Sequence, residues 1–226
     1  MVEDPTRFAD LCAAVGMRGR IAAAPSGYHV ALLARTPHVV TEFEPVDVRG
    51  LNPLGIGSVR IATLGDVQVA VAHLDYREPA GRKAEAHALV TLLDPNRPRI
   101  VLGDLNALSH RDGLTRADLL SLPLHHVERH VEADGEVETG TTRVLEESGL
   151  VDAWRAANPS APAVEGWTVP TGVPHPLHFA PMRIDYIHVS ADLARGIVSC
   201  RVLRDPPAAQ ASDHFPVLCE IDLDAG

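Results

Sequence analysis

The segment Arg99-Ile100-Val101-Leu102-Gly103-Asp104-Leu105-Asn106 constrains this chain more than any other. Ile100, Val101 and Leu102 form an apolar run of strand length, too short for a helix. Gly103 ends the run, and Asp104 and Asn106 follow with one apolar residue between them. Residues i and i+2 of an extended backbone point to the same side. A carboxylate and a carboxamide therefore emerge together at the end of a core strand. Buried polar side chains are costly unless paired or coordinated, so this position demands a partner. A turn in which Asp104 and Asn106 bond their own backbone would satisfy the same letters.

The surrounding pattern supplies the fold class. Phe8, Leu11, Cys12 and Val15 fall at helical spacing, which predicts an amphipathic helix over 6–16 closed by Gly16 and Gly19. Tyr28 to Arg35 reads as a strand stopped by Pro37, and His38 to Phe43 as another. Val59 to Thr63 and Val67 to Leu74 are strands joined by Leu64-Gly65-Asp66, which has hairpin turn chemistry. A helix is predicted over 82–93, ended by Pro95 and Pro98. Residues 107–140 are irregular, and a helix over 141–149 runs into a segment at 150–156. The Pro- and Gly-rich stretch 158–181 predicts a surface loop of a length that often carries function. Arg183 to Val189, Ile197 to Leu203 and Phe215 to Leu223 read as strands, with 206–211 as loop. Strands outnumber helices, and helices lie between pairs of strands rather than after each one. This favours an α+β sandwich of two sheets with helices on the outer faces over a doubly wound parallel sheet. No repeat or linker divides residues 1–226, so a single domain is expected.

Composition narrows the partners. With 20 basic and 30 acidic residues the formal net charge is −10, so no general basic footprint advertises nucleic-acid binding. A local basic groove is still open, and a divalent cation would offset part of the acidity. No apolar run reaches membrane-spanning length, and no stable membrane insertion is expected. Met1 to Pro5 is acidic and lacks the charge order of a secretory signal. Cys12, Cys200 and Cys219 are widely spaced among apolar residues and read as reduced, buried thiols of a cytoplasmic protein.

Three more strand ends carry polar groups. His73 ends the alternating strand Val67 to Leu74. Asp185 sits between Ile184 and Tyr186, where a lone carboxylate is expensive to bury. Its pairing with Arg183 is discounted on the alternation of strand faces. Asp213 and His214 open the last strand, and as neighbours their side chains diverge and do different jobs. A histidine acting as general base needs an orienting acid, for which Asp185 is a better candidate than Asp213. Asp213 is then left to bind a metal. The set Asp104, Asn106, His73, Asp185, Asp213 and His214 holds oxygen and imidazole groups without a thiolate. Hard oxygen ligands suit Mg²⁺ or Mn²⁺. The chemistry supported is attack of a base-activated water on phosphorus.

These motifs, in this order, resemble the endonuclease/exonuclease/phosphatase superfamily, deoxyribonuclease I-like metal-dependent phosphoesterases. Gly103-Asp104-Leu105-Asn106, Arg183-Ile184-Asp185-Tyr186-Ile187 and Ser212-Asp213-His214-Phe215-Pro216-Val217 match three of its motifs. Ala72-His73-Leu74 matches a fourth, with Ala72 where Thr is usual. Trp167-Thr168 resembles an element preceding the Arg-Ile-Asp strand, although a loop aromatic packing on the core reads equally well. The resemblance implies a four-layered α/β/β/α sandwich that hydrolyses a phosphodiester or phosphomonoester. It implies His214 as general base oriented by Asp185. Asp104 and Asn106 would position nucleophile and phosphate or help hold a second metal. Asp213 would be a metal ligand, and His73 a donor to a phosphate oxygen. The family's amino-terminal Asn strand and Gln-Glu pair, whose Glu is the principal metal ligand, are not matched, and Glu3 and Asp4 are poor stand-ins. That departure implies a domain truncated at its amino end, with weak metal binding and little turnover as it stands. Its alternative is a catalytically impaired fragment or phosphate-ligand-binding pseudoenzyme. The loops at 107–140 and 158–181 are expected to choose the substrate.

Overall fold

The computed structural model describes residues 5–22, 29–45, 58–120, 122–175 and 180–223. The chain opens with helix α1 (Pro5–Val15), strand β1 (Arg18–Ala22) and strand β2 (Val30–Ala34). Then come β3 (Val40–Pro45), β4 (Ser58–Leu64), β5 (Val67–His73), α2 (Pro79–Leu92) and β6 (Arg99–Asp104). The middle of the chain forms α3 (Arg116–Leu119), α4 (Leu124–Val127), α5 (Gly140–Glu147), β7 (Leu150–Asp152) and α6 (Ala153–Ala157). The last part holds β8 (Asp185–Ser190), α7 (Ala191–Ala194), β9 (Ile197–Val202), α8 (Pro206–Ala211) and β10 (Val217–Ile221).

Six strands make one mixed sheet in the order β3-β4-β5-β6-β8-β7. Its two faces follow from the alternation of side chains along each strand. Ala70, Ala72, Val101 and Tyr186 face Ala86 and Leu89 of α2 and Leu145 of α5. Val69, Val71, Ile100 and Leu102 face Val30 and Leu32 of the β1–β2 hairpin. Ile187 meets a further cluster of Trp154, Cys200, Val202 and Val217, which brings in the β9–β10 hairpin. Helix α1 packs against β1. The expected layers are present, with the second sheet built as two separate hairpins, β1–β2 and β9–β10.

Several local expectations change. Gly19 does not close the first helix; it lies inside β1, where a Cβ would stand 2.7 Å from the Leu32 carbonyl oxygen. Residues 206–211 are helical rather than loop, because Pro206 opens the first turn and the Asp205 carboxylate accepts the Ala208 N–H at 2.9 Å. Arg183 precedes β8 instead of belonging to it. Glu3, Asp4 and Tyr28 lie outside the described residues.

One backbone contact sets the sheet where the site will form. Gly103 has φ +134°, and a Cβ there would overlap the carbonyl oxygen of Ala72 on the neighbouring strand. Only glycine allows β5 and β6 to approach so closely in that conformation. Gly103→Ala is expected to destabilise the protein by about 2–4 kcal/mol, by forcing apart a buried strand pair. Urea unfolding monitored by circular dichroism measures this, and a variant within error of the parent would contradict the account.

Candidate active site

Strand register assembles the site. His73 of β5 stands opposite Asp104 of β6, and Asp104 opposite Asp185 of β8, so three polar residues lie in one row. They continue the face that carries Val71, Leu102 and Ile187, and so open at the rim between the sheet and the hairpins. Backbone bonds close the row, with the Leu74 N–H donating to the Asp104 carbonyl and the Leu105 N–H to the Ile184 carbonyl, both at 2.9 Å.

Asp104 and Asn106 form the turn that their motif allows, and it leaves one Asp104 oxygen turned to the neighbouring strand. Asn106 takes φ +50°, which Asn tolerates better than most residues. Its N–H donates to Asp104 Oδ1 at 2.8 Å, and its carboxamide donates to the Leu74 carbonyl at 3.1 Å. The turn thus aims the second oxygen, Oδ2, which stands 3.3 Å from His73 Nε2. Burial works against the Asp104 charge, but the hydrogen bond and charge of His73, with help from His214, hold its carboxyl below the usual range.

His214 reaches the other end of the row. Its Nδ1 lies 2.7 Å from Asp185 Oδ2. Burial opposes protonation of His214, yet the hydrogen bond and charge of Asp185, followed by Asp104 and Asp213, raise its pKa to about 9. Burial, together with repulsion from Asp104, raises the Asp185 carboxyl against the attraction of His214. Thr168, fully buried, braces this pair. Its hydroxyl accepts the Ile184 and Asp185 N–H groups at 3.2 and 3.3 Å and also bonds the Asp185 carboxylate. Its carbonyl accepts the Phe215 N–H at 2.8 Å. The start of β8 and the His214 segment are therefore tied through one residue. A cavity of about 470 Å³ adjoins the pair, lined by Gly103, Asp185, Ser212, His214 and Pro216 among others.

Among the described residues, Asp104, Asp185 and His214 form one group whose ligand atoms lie within 4.8 Å of one another. Two carboxylates and an imidazole at that spacing fit a hard divalent cation. Asp213 is not in that group. Its carboxylate receives the Ser212 hydroxyl at 3.3 Å and lies 3.8 Å from His175 Nδ1. His175 belongs to the 158–181 stretch, and nothing in the sequence singled it out.

Arg183 does not pair with Asp185, but for another reason than face alternation, since residues two apart on one strand share a face. The strand begins only at Asp185, and Arg183 turns to the opposite side. Its Nε and Nη2 donate to Asp112 at 3.0 Å, and Nη1 lies 2.7 Å from Asp152. The guanidinium also sits over the rings of Tyr186 and Trp154, at 4.5 and 5.0 Å. Asp112 and Asp152 were not anticipated, because their partner is remote in sequence.

Comparison with known proteins identifies the family and the fold. The sequence model of the Endonuclease/Exonuclease/phosphatase family matches residues 20–214. The chain belongs to that family, whose members are hydrolases acting on phosphoric ester bonds. An AP endonuclease from Archaeoglobus fulgidus shares the fold with a TM-score of 0.67 at 17% identity, over 97% of this chain and 84% of that one. A substituted form of the 3′ phosphatase NExo from Neisseria, bound to a product DNA hairpin, gives 0.68 at 21% identity over the same shares. Truncated TDP2 of Caenorhabditis elegans gives 0.59 at 15% identity, over 96% and 79%. No curated protein matches the chain in sequence. No helix among the described residues is long and apolar enough to cross a membrane.

The electrostatics have a direct readout. In metal-free protein the His214 imidazole is expected to titrate at about 9 by NMR. Removing the carboxylate charge with Asp185→Asn should return it toward the ordinary 6.5. An unchanged titration in that variant would contradict the pairing. The sign for stability follows, since a raised histidine pKa stabilises the fold fully below about pH 6.5 and loses that contribution as pH rises through about 9.

Proposed function

We propose that this chain is a divalent-metal-dependent phosphoesterase that uses His214 as general base. The observation that carries the reading is the 2.7 Å contact of His214 Nδ1 with Asp185, set beside the Asp104–His73 pair in one row. Asp185 fixes the ring so that Nε2, the other nitrogen, takes the proton of the attacking water. Asp104, held by the Asn106 turn, orients that water. His73 and Asn106 donate to the non-bridging phosphate oxygens as negative charge builds on them. Asp104, with Asp185 beside it, would hold Mg²⁺ or Mn²⁺, and the ion when bound would supply electrophilic stabilisation of the phosphoryl oxygens; Asp213, expected as a ligand, stands outside that group beside His175.

A base must be neutral to act, and His214 is protonated at neutral pH while its neighbours are uncompensated carboxylates. A cation held among these carboxylates would lower its pKa, which would make the reaction depend on metal through the base as well as the phosphate. The substrate is a phosphate ester, and nucleic acid is one admissible class, as in the DNA-bound Neisseria neighbour. A net charge of −10 weighs against tight nonspecific binding to DNA.

Turnover of an aryl phosphodiester with Mn²⁺ or Mg²⁺ tests the reading. His214→Ala is expected to lower kcat by about 10²–10⁴-fold with a smaller effect on KM, and chelation of the metal to abolish turnover in the parent. The ascending limb of the pH–rate profile belongs to His214, and Asp185→Asn should move it to lower pH. Undiminished turnover in His214→Ala would overturn the assignment of the base.

A further inference from the structure

Cys200 and Cys219 face each other across the antiparallel pair β9–β10. The Leu203 N–H donates to the Pro216 carbonyl at 2.9 Å, which marks 203/216 as a hydrogen-bonded position. Counting along the ladder, 202/217 is non-hydrogen-bonded, 201/218 hydrogen-bonded, and 200/219 again non-hydrogen-bonded. In such positions the Cα atoms lie about 4.5 Å apart and the side chains are at their closest. A disulfide accepts Cα separations of about 4.4–6.8 Å. Both side chains point inward onto the cluster of Trp154, Val202 and Val217, and the two thiols are within hydrogen-bonding reach. Cys200 is buried and Cys219 half-buried, so an oxidant meets Cys219 first.

We propose that Cys200 and Cys219 are a redox-modification site, joined by a peroxide into an intrachain disulfide. The hydrogen bond from the Cys200 thiol favours ionisation of Cys219, and the same bond, with burial, pushes the Cys200 thiol up. Cys219 is therefore the attacking sulfur. Its thiolate attacks one peroxide oxygen, the O–O bond breaks, and the departing hydroxide takes a proton to leave as water. The product is a sulfenic acid on Cys219. The Cys200 sulfur then attacks the Cys219 sulfur, the S–O bond breaks, and the hydroxyl leaves with the Cys200 proton as a second water. The two thiols give up two electrons and two protons, and the peroxide accepts both pairs. The ring so closed contains α8 and the Ser212-Asp213-His214 segment, so oxidation would tether the strand that follows His214 to its neighbour β9. The proposal stands on the β9–β10 register and does not depend on the phosphoesterase reading.

The full-length chain is reduced, freed of reductant, treated with hydrogen peroxide and alkylated under denaturing conditions for thiol titration and peptide mapping. Of the three thiols, two are expected to disappear together, with a peptide linked through Cys200 and Cys219 that dithiothreitol dissolves. Cys12→Ser should behave like the parent, whereas Cys219→Ser should yield no link. Cys200→Ser should leave a sulfenic acid on Cys219, trapped by dimedone. The oxidised parent should also melt at a higher temperature than the reduced form, and Cys219→Ser should show no such shift. Loss of the two thiols without a linked peptide in the parent, or a link through Cys12, would overturn the proposal.

Discussion

Two carboxylates lie side by side at the edge of one sheet, and the local structure depends on how their repulsion is met. Parallel pairing of β5 with β6 and antiparallel pairing of β6 with β8 bring two strand ends and one strand start to the same rim. Asp104 and Asp185 are thereby forced into register, partly out of water. Left alone, one of them would take up a proton. An imidazole at each flank opposes this, with His73 beside Asp104 and His214 beside Asp185; the Asp104 carboxyl is held below its usual range, while burial still raises that of Asp185. Negative charge is in excess along the row, and two carboxylates with an imidazole at this spacing fit a divalent cation. With a cation bound there, as proposed, metal binding and deprotonation of His214 would be linked events of one site.

The frame around the row is rigid by different means on each side. Gly103 lets β6 press against β5, and Asn106 turns back to hold both Asp104 and the end of β5. Thr168 joins the start of β8 to the His214 segment. Behind the row, Arg183 is buried between Asp112, Asp152 and two aromatic rings. Burial opposes its charge, and the neighbouring Tyr186, Asp152 and Asp112 outweigh that cost and keep it ionised. A buried ion pair adds little net stability, but deleting one partner leaves an uncompensated charge. The Arg-Ile-Asp-Tyr stretch therefore splits in two directions: Arg183 and Tyr186 lock the strand entry, and Asp185 joins the row with Asp104 and His214.

Much of this was legible in the sequence because it is local. The apolar run before Gly103 and the alternation at Val67 to Val71 identified the central strands, and polar residues at their ends identified the row. What was not legible is non-local. Asp112 and Asp152 look like ordinary surface acids until Arg183 arrives from a distant segment. His175 lies in a loop whose path no periodicity describes. The helix at 206–211 was hidden by its two prolines, which read as loop although the first simply opens the helix after an Asp cap. The strand at 18–22 was obscured by Gly19, whose missing side chain is needed for contact with β2 rather than for a turn.

The central claim is that Asp185 and His214 act as one unit. A double-mutant cycle of Asp185→Asn and His214→Ala, read as kcat on an aryl phosphodiester at saturating Mn²⁺, tests it directly. Residues that work as a unit are strongly non-additive, so the double variant should be no slower than His214→Ala alone. Losses that multiply would show that the two residues act separately and would contradict the account.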